Sequence, residues 1–165
     1  MRVSAKADYA VRAAAELAAA QLSNTALPGA LTKAERIAEA QHIPIKFLEA
    51  ILLELKHSGI AKSIRGADGG YALARPAAEI TIADVIRAVD GPLANVRGER
   101  PEDARYEGAA ERLTTVWIAV RASLRQVLEQ TSLADLVNGP LPKSVSDLTE
   151  SADAWQSLGR VRGPS

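Results

Sequence analysis

Arg65-Gly66-Ala67-Asp68-Gly69-Gly70 is the segment whose residue types carry the clearest chemical bias. Its glycines let backbone approach an anion closely. Arg65, at the shoulder of the turn, can enter a narrow minor groove of duplex DNA, and Lys62 just before it can contact a phosphate. An ordinary flexible turn has the same composition. A nucleotide-binding loop does not fit, because no Lys-Ser/Thr pair follows the glycines and no helix opens there. A second group follows Pro44. On a helix starting there, Lys46, Glu49, Ala50 and Leu53 share the side opposite the apolar residues. Lys46 suits a guanine edge or a phosphate, Glu49 a cytosine amino group, and Ala50 a thymine methyl. A solvated amphipathic face is the plainer reading of the same residues. A third group, Ser4, Lys6 and Tyr9, lies where the free N–H groups of a first helix favour an anion such as the sugar–phosphate backbone. These residues equally suit a helix cap with exposed neighbours.

Catalytic chemistry is poorly supported. His42 sits at a turn and His57 at a helix end, and neither has a spaced carboxylate pair or a nucleophilic serine motif beside it. The chain has no cysteine, which excludes disulfides, thiolate zinc sites, cysteine nucleophiles and cysteine-ligated clusters. No i, i+4 ligand pair supports a metal site. Hydrophobic residues make up 47% of the 165 and charged residues 24%, enough apolar matter for a packed core. Only 4% are aromatic while alanine is abundant, which favours closely approaching helices over a β sandwich. Net charge is zero. Residues 1–75, however, hold ten Lys/Arg against seven Asp/Glu, so the N-terminal half is the better partner for phosphates. Charged residues punctuate the first apolar stretch and no run is long enough to span a membrane, so a cytoplasmic protein is expected.

The elements that must position these residues follow from periodicity and caps. Ser4 is expected to cap a helix to about Gln21, with Ala7, Ala10, Val11, Ala14, Leu17 and Ala18 inward. Residues 22–31, with Pro28 and Gly29, read as a loop. Thr32 and Glu35 suggest a capping box for a short helix to Gln41, and Pro44 opens the next, to His57, with Leu48, Ile51, Leu52 and Leu55 inward. Gly59 closes it, and residues 60–64 and 71–74 form a hairpin around the glycine-rich turn. Thr81 and Asp84 cap a helix to Asp90, ended by Gly91-Pro92. A polar, solvated loop is expected over 95–108. A long helix then runs from about Ala109 to Gln130, in which Leu113, Trp117, Val120, Leu124 and Val127 or Leu128 repeat as a packing seam. Thr131 or Ser132 caps a short turn to Val137. Beyond Gly139-Pro140 a mobile tail is expected, weakly helical at most over 148–158.

Taken in order, the opening Met-Arg-Val-Ser-Ala-Lys-Ala-Asp-Tyr-Ala-Val-Arg-Ala, Ile37-Ala38-Glu39 and Ile43-Pro-Ile-Lys-Phe-Leu-Glu49 form a specific set. Ser63-Ile-Arg-Gly-Ala-Asp-Gly-Gly-Tyr71, Leu73-Ala-Arg-Pro76, Ile86-Arg-Ala-Val-Asp-Gly91 and Ser132-Leu-Ala-Asp-Leu136 complete it. Over residues 1–138 the chain resembles the Rrf-two-type regulators, the family of the iron–sulfur-assembly regulator and the nitric-oxide-sensing repressor. The resemblance implies a homodimer on a partly palindromic operator, usually as a repressor. It also implies a long dimerisation helix, major-groove reading at Lys46, Glu49 and Ala50, and minor-groove contact at Arg65. Sensor members carry three cysteines in the segment corresponding to residues 95–113, and this chain has none. Asp8 matches a carboxylate ligand of some cluster-bound members but, without thiolates, is expected to act as a charge near a helix N-terminus.

The expectation is therefore a mainly α protein with a small β-hairpin: a winged helix-turn-helix with its following helix over 1–91, a loop and dimerisation helix over 92–138, and a tail over 139–165. Expected DNA-binding residues are Ser4, Lys6, Tyr9, Pro44, Lys46, Glu49, Ala50, Lys62, Arg65 and Gly66. Expected dimer contacts are Leu113, Trp117, Val120, Leu124, Val127 and Leu128. No metal or cluster is expected. The signal is expected to be a small molecule near the first and dimer helices, or a partner protein. The competing class is a winged-helix adaptor that no longer binds DNA.

Overall fold

The computed structural model describes residues 2–23 and 30–157. Helix α1 (Ala5–Ser23) lies at the centre of the fold and packs against α3 (Ile45–His57), α4 (Ile82–Asp90) and α6 (Leu133–Asn138). Its buried face is Ala7, Ala10, Ala13, Ala14, Leu17 and Ala18. Five methyl-sized side chains let three neighbouring helices approach one axis closely, which is why alanine is so abundant here. Val11, expected inward, is half-buried at the edge of this face and Ala13 takes its place. The larger side chains come from the neighbours: Leu48, Ile51, Leu52 and Leu55 of α3, Ile37 of α2 (Ala34–Gln41), and Ile60, Ile80, Val85 and Leu133.

Strands β1 (Ala61–Ile64) and β2 (Gly70–Leu73) pair antiparallel, from Ala61 opposite Leu73 to Ile64 opposite Gly70. Two capping boxes lie side by side, one on α4 from Thr81 and Asp84, the other on α6 from Ser132 and Asp135. Thr81 and Ser132 also form a β-bridge, with Ile82 N–H donating to Thr131 O at 2.9 Å and Leu133 N–H to Ile80 O at 2.9 Å. The chain after α5 (Leu113–Leu128) is thereby stitched back onto the N-terminal core.

Three further expectations are corrected. The Thr32 capping box does not form: Lys33 is the N-cap of α2 and makes no side-chain cap bond. Thr32 instead exchanges two backbone hydrogen bonds with Tyr71, at 2.7 and 2.8 Å, which holds it extended and one residue short of the helix. The long helix is shorter than expected, because Gly108–Ala110 forms a 3₁₀ turn and α5 starts only at Leu113. The polar loop before it is exposed over most of its length, as expected, but is anchored at two points: Pro101 and Ala104 are buried, and Thr114 donates its hydroxyl to Ala104 O at 3.0 Å. The described part of the tail holds a helix, α7 (Lys143–Thr149), packed on α5, and a 3₁₀ turn over Ala152–Trp155. The loop expected over 22–31 lies largely outside the described residues.

Candidate nucleic-acid interface

Helices α2 and α3 are joined by a turn in which His42 adopts a left-handed conformation, φ 53°, and Ile43 N–H donates back to Ala38 O at 3.0 Å. Ile43 is buried, so the turn is pinned from inside. From outside, Arg12 Nη1 donates to Gln41 O at 2.7 Å, while Gln41 bonds Glu16. Helix α1 thus sets the angle between α2 and α3, a role for Arg12 and Gln41 that no local pattern reveals.

Pro44 is the N-cap of α3. Outward from this helix point Lys46, Glu49, Ala50 and Leu53, all exposed, with the Phe47 ring beside them at 65% exposure. The opposite face is fully buried, which holds the outward side chains in a fixed orientation. The hairpin stands next to this face. Lys62, Arg65 and Gly66 are exposed on it. Strand β2 is tied to the chain before α2 by the Thr32–Tyr71 bridge, close to the turn, and the turn itself by Lys33 Nζ donating to Ala67 O at 2.7 Å. Lys33, absent from the expected set, is therefore the residue that orients the hairpin tip. Gly69 is required by close approach: a Cβ there would lie 2.2 Å from Ile64 O and 2.9 Å from Arg65 C. Gly69→Ala is expected to destabilise the protein by about 1–3 kcal/mol by forcing the turn to rebuild. An unchanged urea midpoint would overturn this.

Charge is distributed unevenly over this surface. Lys6, Arg12 and Lys33 are held by partners in the chain. Arg36, Lys46, Lys56, Lys62 and Arg65 have no ion pair or side-chain hydrogen bond among the described residues. Five unpaired cations thus lie on α2, α3 and the hairpin, while others, such as Arg2, Arg100 and Arg112, lie elsewhere on the described chain.

Ser4, Lys6 and Tyr9 are half-buried and engage residues of their own chain. Ser4 caps α1, accepting from Ala7 N–H at 2.9 Å, and its hydroxyl donates to Asp90 Oδ2. Lys6 Nζ meets Glu54 Oε2 and Val89 O, both at 2.8 Å, and so ties α1 to α3 and α4. The Arg12 guanidinium lies 4.8 Å from the Tyr9 ring centroid.

The six expected seam residues of α5 are all half-buried, and no residue of that helix is fully buried. Five of the six divide into two sets. Trp117 donates to the Tyr106 hydroxyl at 3.1 Å, and Leu124 and Leu128 line a groove of about 440 Å³ against Ser4, Ala7 and Ile86. Val120 and Val127, by helical spacing, share a different line with Val116, which is 50% exposed.

This arrangement has close counterparts. Residues 3–139 match the Rrf2 family, described as iron-dependent transcriptional regulators. The chain belongs to the Rrf2 family. It is 49% identical over 157 residues to a candidate HTH-type transcriptional regulator of Mycobacterium tuberculosis, covering 95% of this chain and 94% of that one. It is 32% identical to the HTH-type regulator CymR of Bacillus subtilis, over 84% of this chain and 91% of CymR. The solved structure of that CymR, the global cysteine regulator, superposes with a TM-score of 0.67, covering 83% of this chain and 96% of it. The chain is accordingly an Rrf2-family helix-turn-helix transcriptional regulator rather than an enzyme, and its hairpin is the wing.

The iron named for the family does not fit these residues. Thiolate ligands are lacking throughout the chain, and among the described residues no three His, Asp or Glu gather as a metal site. In the 95–113 segment, Glu102 is bonded to Arg121. Asp8 lies in the first turn of α1, paired with Arg12 at 2.9 Å. No described helix is long and apolar enough to cross a membrane.

Proposed function

We propose that this Rrf2 regulator is a homodimeric, sequence-specific DNA-binding repressor that works without an iron–sulfur cluster. The observation carrying the reading is the pairing of a rigidly mounted outward face on α3 with a wing whose tip is tied down, both bearing unpaired cations. In this reading Lys46, Glu49 and Ala50 meet base edges in the major groove, with Pro44 and Gly66 close to the backbone. Lys62 contacts a phosphate and Arg65 enters the minor groove. Ser4, Lys6 and Tyr9 border this surface: the Lys6 side chain, 43% exposed, retains an open N–H direction beside its two partners. The dimer forms along α5, whose seam residues are only half-buried within one protomer and whose Val116 is 50% exposed. Two copies related by a two-fold axis then present two α3 helices to a partly palindromic operator. Residues 1–91 form the DNA-reading unit and 92–138 the dimerisation unit.

Binding selection from random duplex DNA is expected to enrich a two-fold-related motif. On that motif Arg65→Ala is expected to lose about 1–3 kcal/mol of binding. Equal affinity and sequence preference in the variant would remove the wing from recognition. A steep fall in affinity with salt is also expected, since phosphate contacts release counterions. A folded protein that enriches nothing and shows no salt slope would favour the adaptor reading.

A further inference from the structure

A cleft of about 300 Å³ opens where α4, the loop 92–107 and α5 meet. Four guanidiniums line it: Arg87 from α4, Arg100 from the loop, and Arg121 and Arg125 from α5. One carboxylate, Glu102, shares the lining, and Glu129 lies just outside it. Glu129 Oε1 accepts from both Arg87 and Arg125, while Arg121 pairs with Glu102. Arg100 has no partner among the described residues. Two carboxylates against four guanidiniums leave two positive charges unmatched. Both carboxyls are held below the ordinary glutamate range, Glu129 by Arg87 and then Arg125, Glu102 by a backbone hydrogen bond and then Arg121. Protonation near neutral pH therefore does not change that balance. Each guanidinium carries five N–H donors and the paired ones donate through a single nitrogen here, so most of their donors remain available.

We propose that this cleft binds a small organic dianion, a dicarboxylate or a phosphomonoester, and that the bound anion is the regulator's effector. Bidentate guanidinium contacts match the geometry of both carboxylate and phosphate. Pro92, Leu93 and Pro101 supply apolar walls for a short carbon chain, and the volume is that of a small metabolite rather than a duplex. By helical spacing, Arg121 and Arg125 lie on the flank of α5 away from Val116, Val120 and Val127, so the cleft stays open when that line is covered. An anion gripped by Arg87 and Arg125 together would set the angle between the winged helix and α5, and hence the separation of the two recognition helices in a dimer. This regulatory half rests on the proposed dimeric operator binding.

Calorimetric titration of the full chain, without DNA, with succinate or inorganic phosphate at ionic strength held by sodium chloride tests the site. Saturable binding of one probe per protomer is expected. Arg100→Ala, which breaks no ion pair, is expected to weaken it by at least about fivefold. Arg65→Ala on the wing is expected to leave it unchanged. The probe that binds identifies the carboxylate or the phosphate source. No saturable binding of either, or undiminished binding in Arg100→Ala, would overturn the site. Operator affinity is then measured with and without the bound probe: a shift of at least about fivefold, lost in Arg100→Ala, is expected. An unshifted affinity would overturn the effector role alone. Failure of the unliganded protein to bind any operator would count against the DNA-binding reading, not against the anion site.

Discussion

Val120→Asp is expected to convert the protein to a folded monomer and to lower operator affinity by about 10²- to 10⁴-fold. Helix α5 contains no fully buried residue, although its sequence is largely apolar. Val120 is half-buried and lies by helical spacing beside Val116, which is 50% exposed, whereas Trp117, Leu124 and Leu128 face residues of their own protomer. A carboxylate in place of Val120 would have to lose its water without gaining a counter-charge, which two-fold symmetry would impose twice. Once the copies separate, each half-site is bound independently and the gain from effective concentration disappears. Sedimentation velocity and operator titration on the same samples check both parts. A persistent dimer, or a monomer with undiminished affinity, would place the interface elsewhere.

Leu55→Ala is expected to destabilise the protein by about 2–5 kcal/mol. Leu55 is 0% exposed and sits on the inner face of α3. Its truncation leaves a cavity among side chains from several elements, which cannot close without moving the recognition helix. Small domains are stable by only about 5–15 kcal/mol, so this one side chain accounts for a large share. Leu53→Ala, two residues earlier on the outer face and 51% exposed, is expected to leave stability within about 0.5 kcal/mol. Urea unfolding of the two variants measures the contrast directly. Equal losses would mean that the two faces of α3 had been assigned wrongly.

Where structure depends on residues three or four apart, the chain could be read directly. The Thr81/Asp84 box, a cap at Ser132 as one of the two candidates, the stop at Gly59 and the inward leucines of α3 all fall where their spacing places them. The exception, Thr32, shows the limit. Its spacing to Glu35 satisfies the same local rule, but two hydrogen bonds to Tyr71, far along the chain, hold its backbone extended. The loop before α5 and the tail show a related limit. Their polar composition predicts solvation, and most of their described residues are exposed, but Pro101, Ala104 and α7 find surfaces on the folded body that no local pattern names.

The amino-acid order by itself determined the winged helix-turn-helix, the family and the lack of any thiolate ligand. Local caps, helical periodicity and the lack of thiols need no partner distant in sequence. Tertiary structure alone decided which charges are free. Lys6 and Lys62 are indistinguishable as residue types, but Lys6 is held by Glu54 and Val89 while Lys62 is exposed on the wing. It alone turned Leu124 and Leu128 toward the groove beside α1 and gathered four arginines around one cleft. Periodicity says which side chains share a face. What that face meets depends on the packing of elements brought together only when the chain folds.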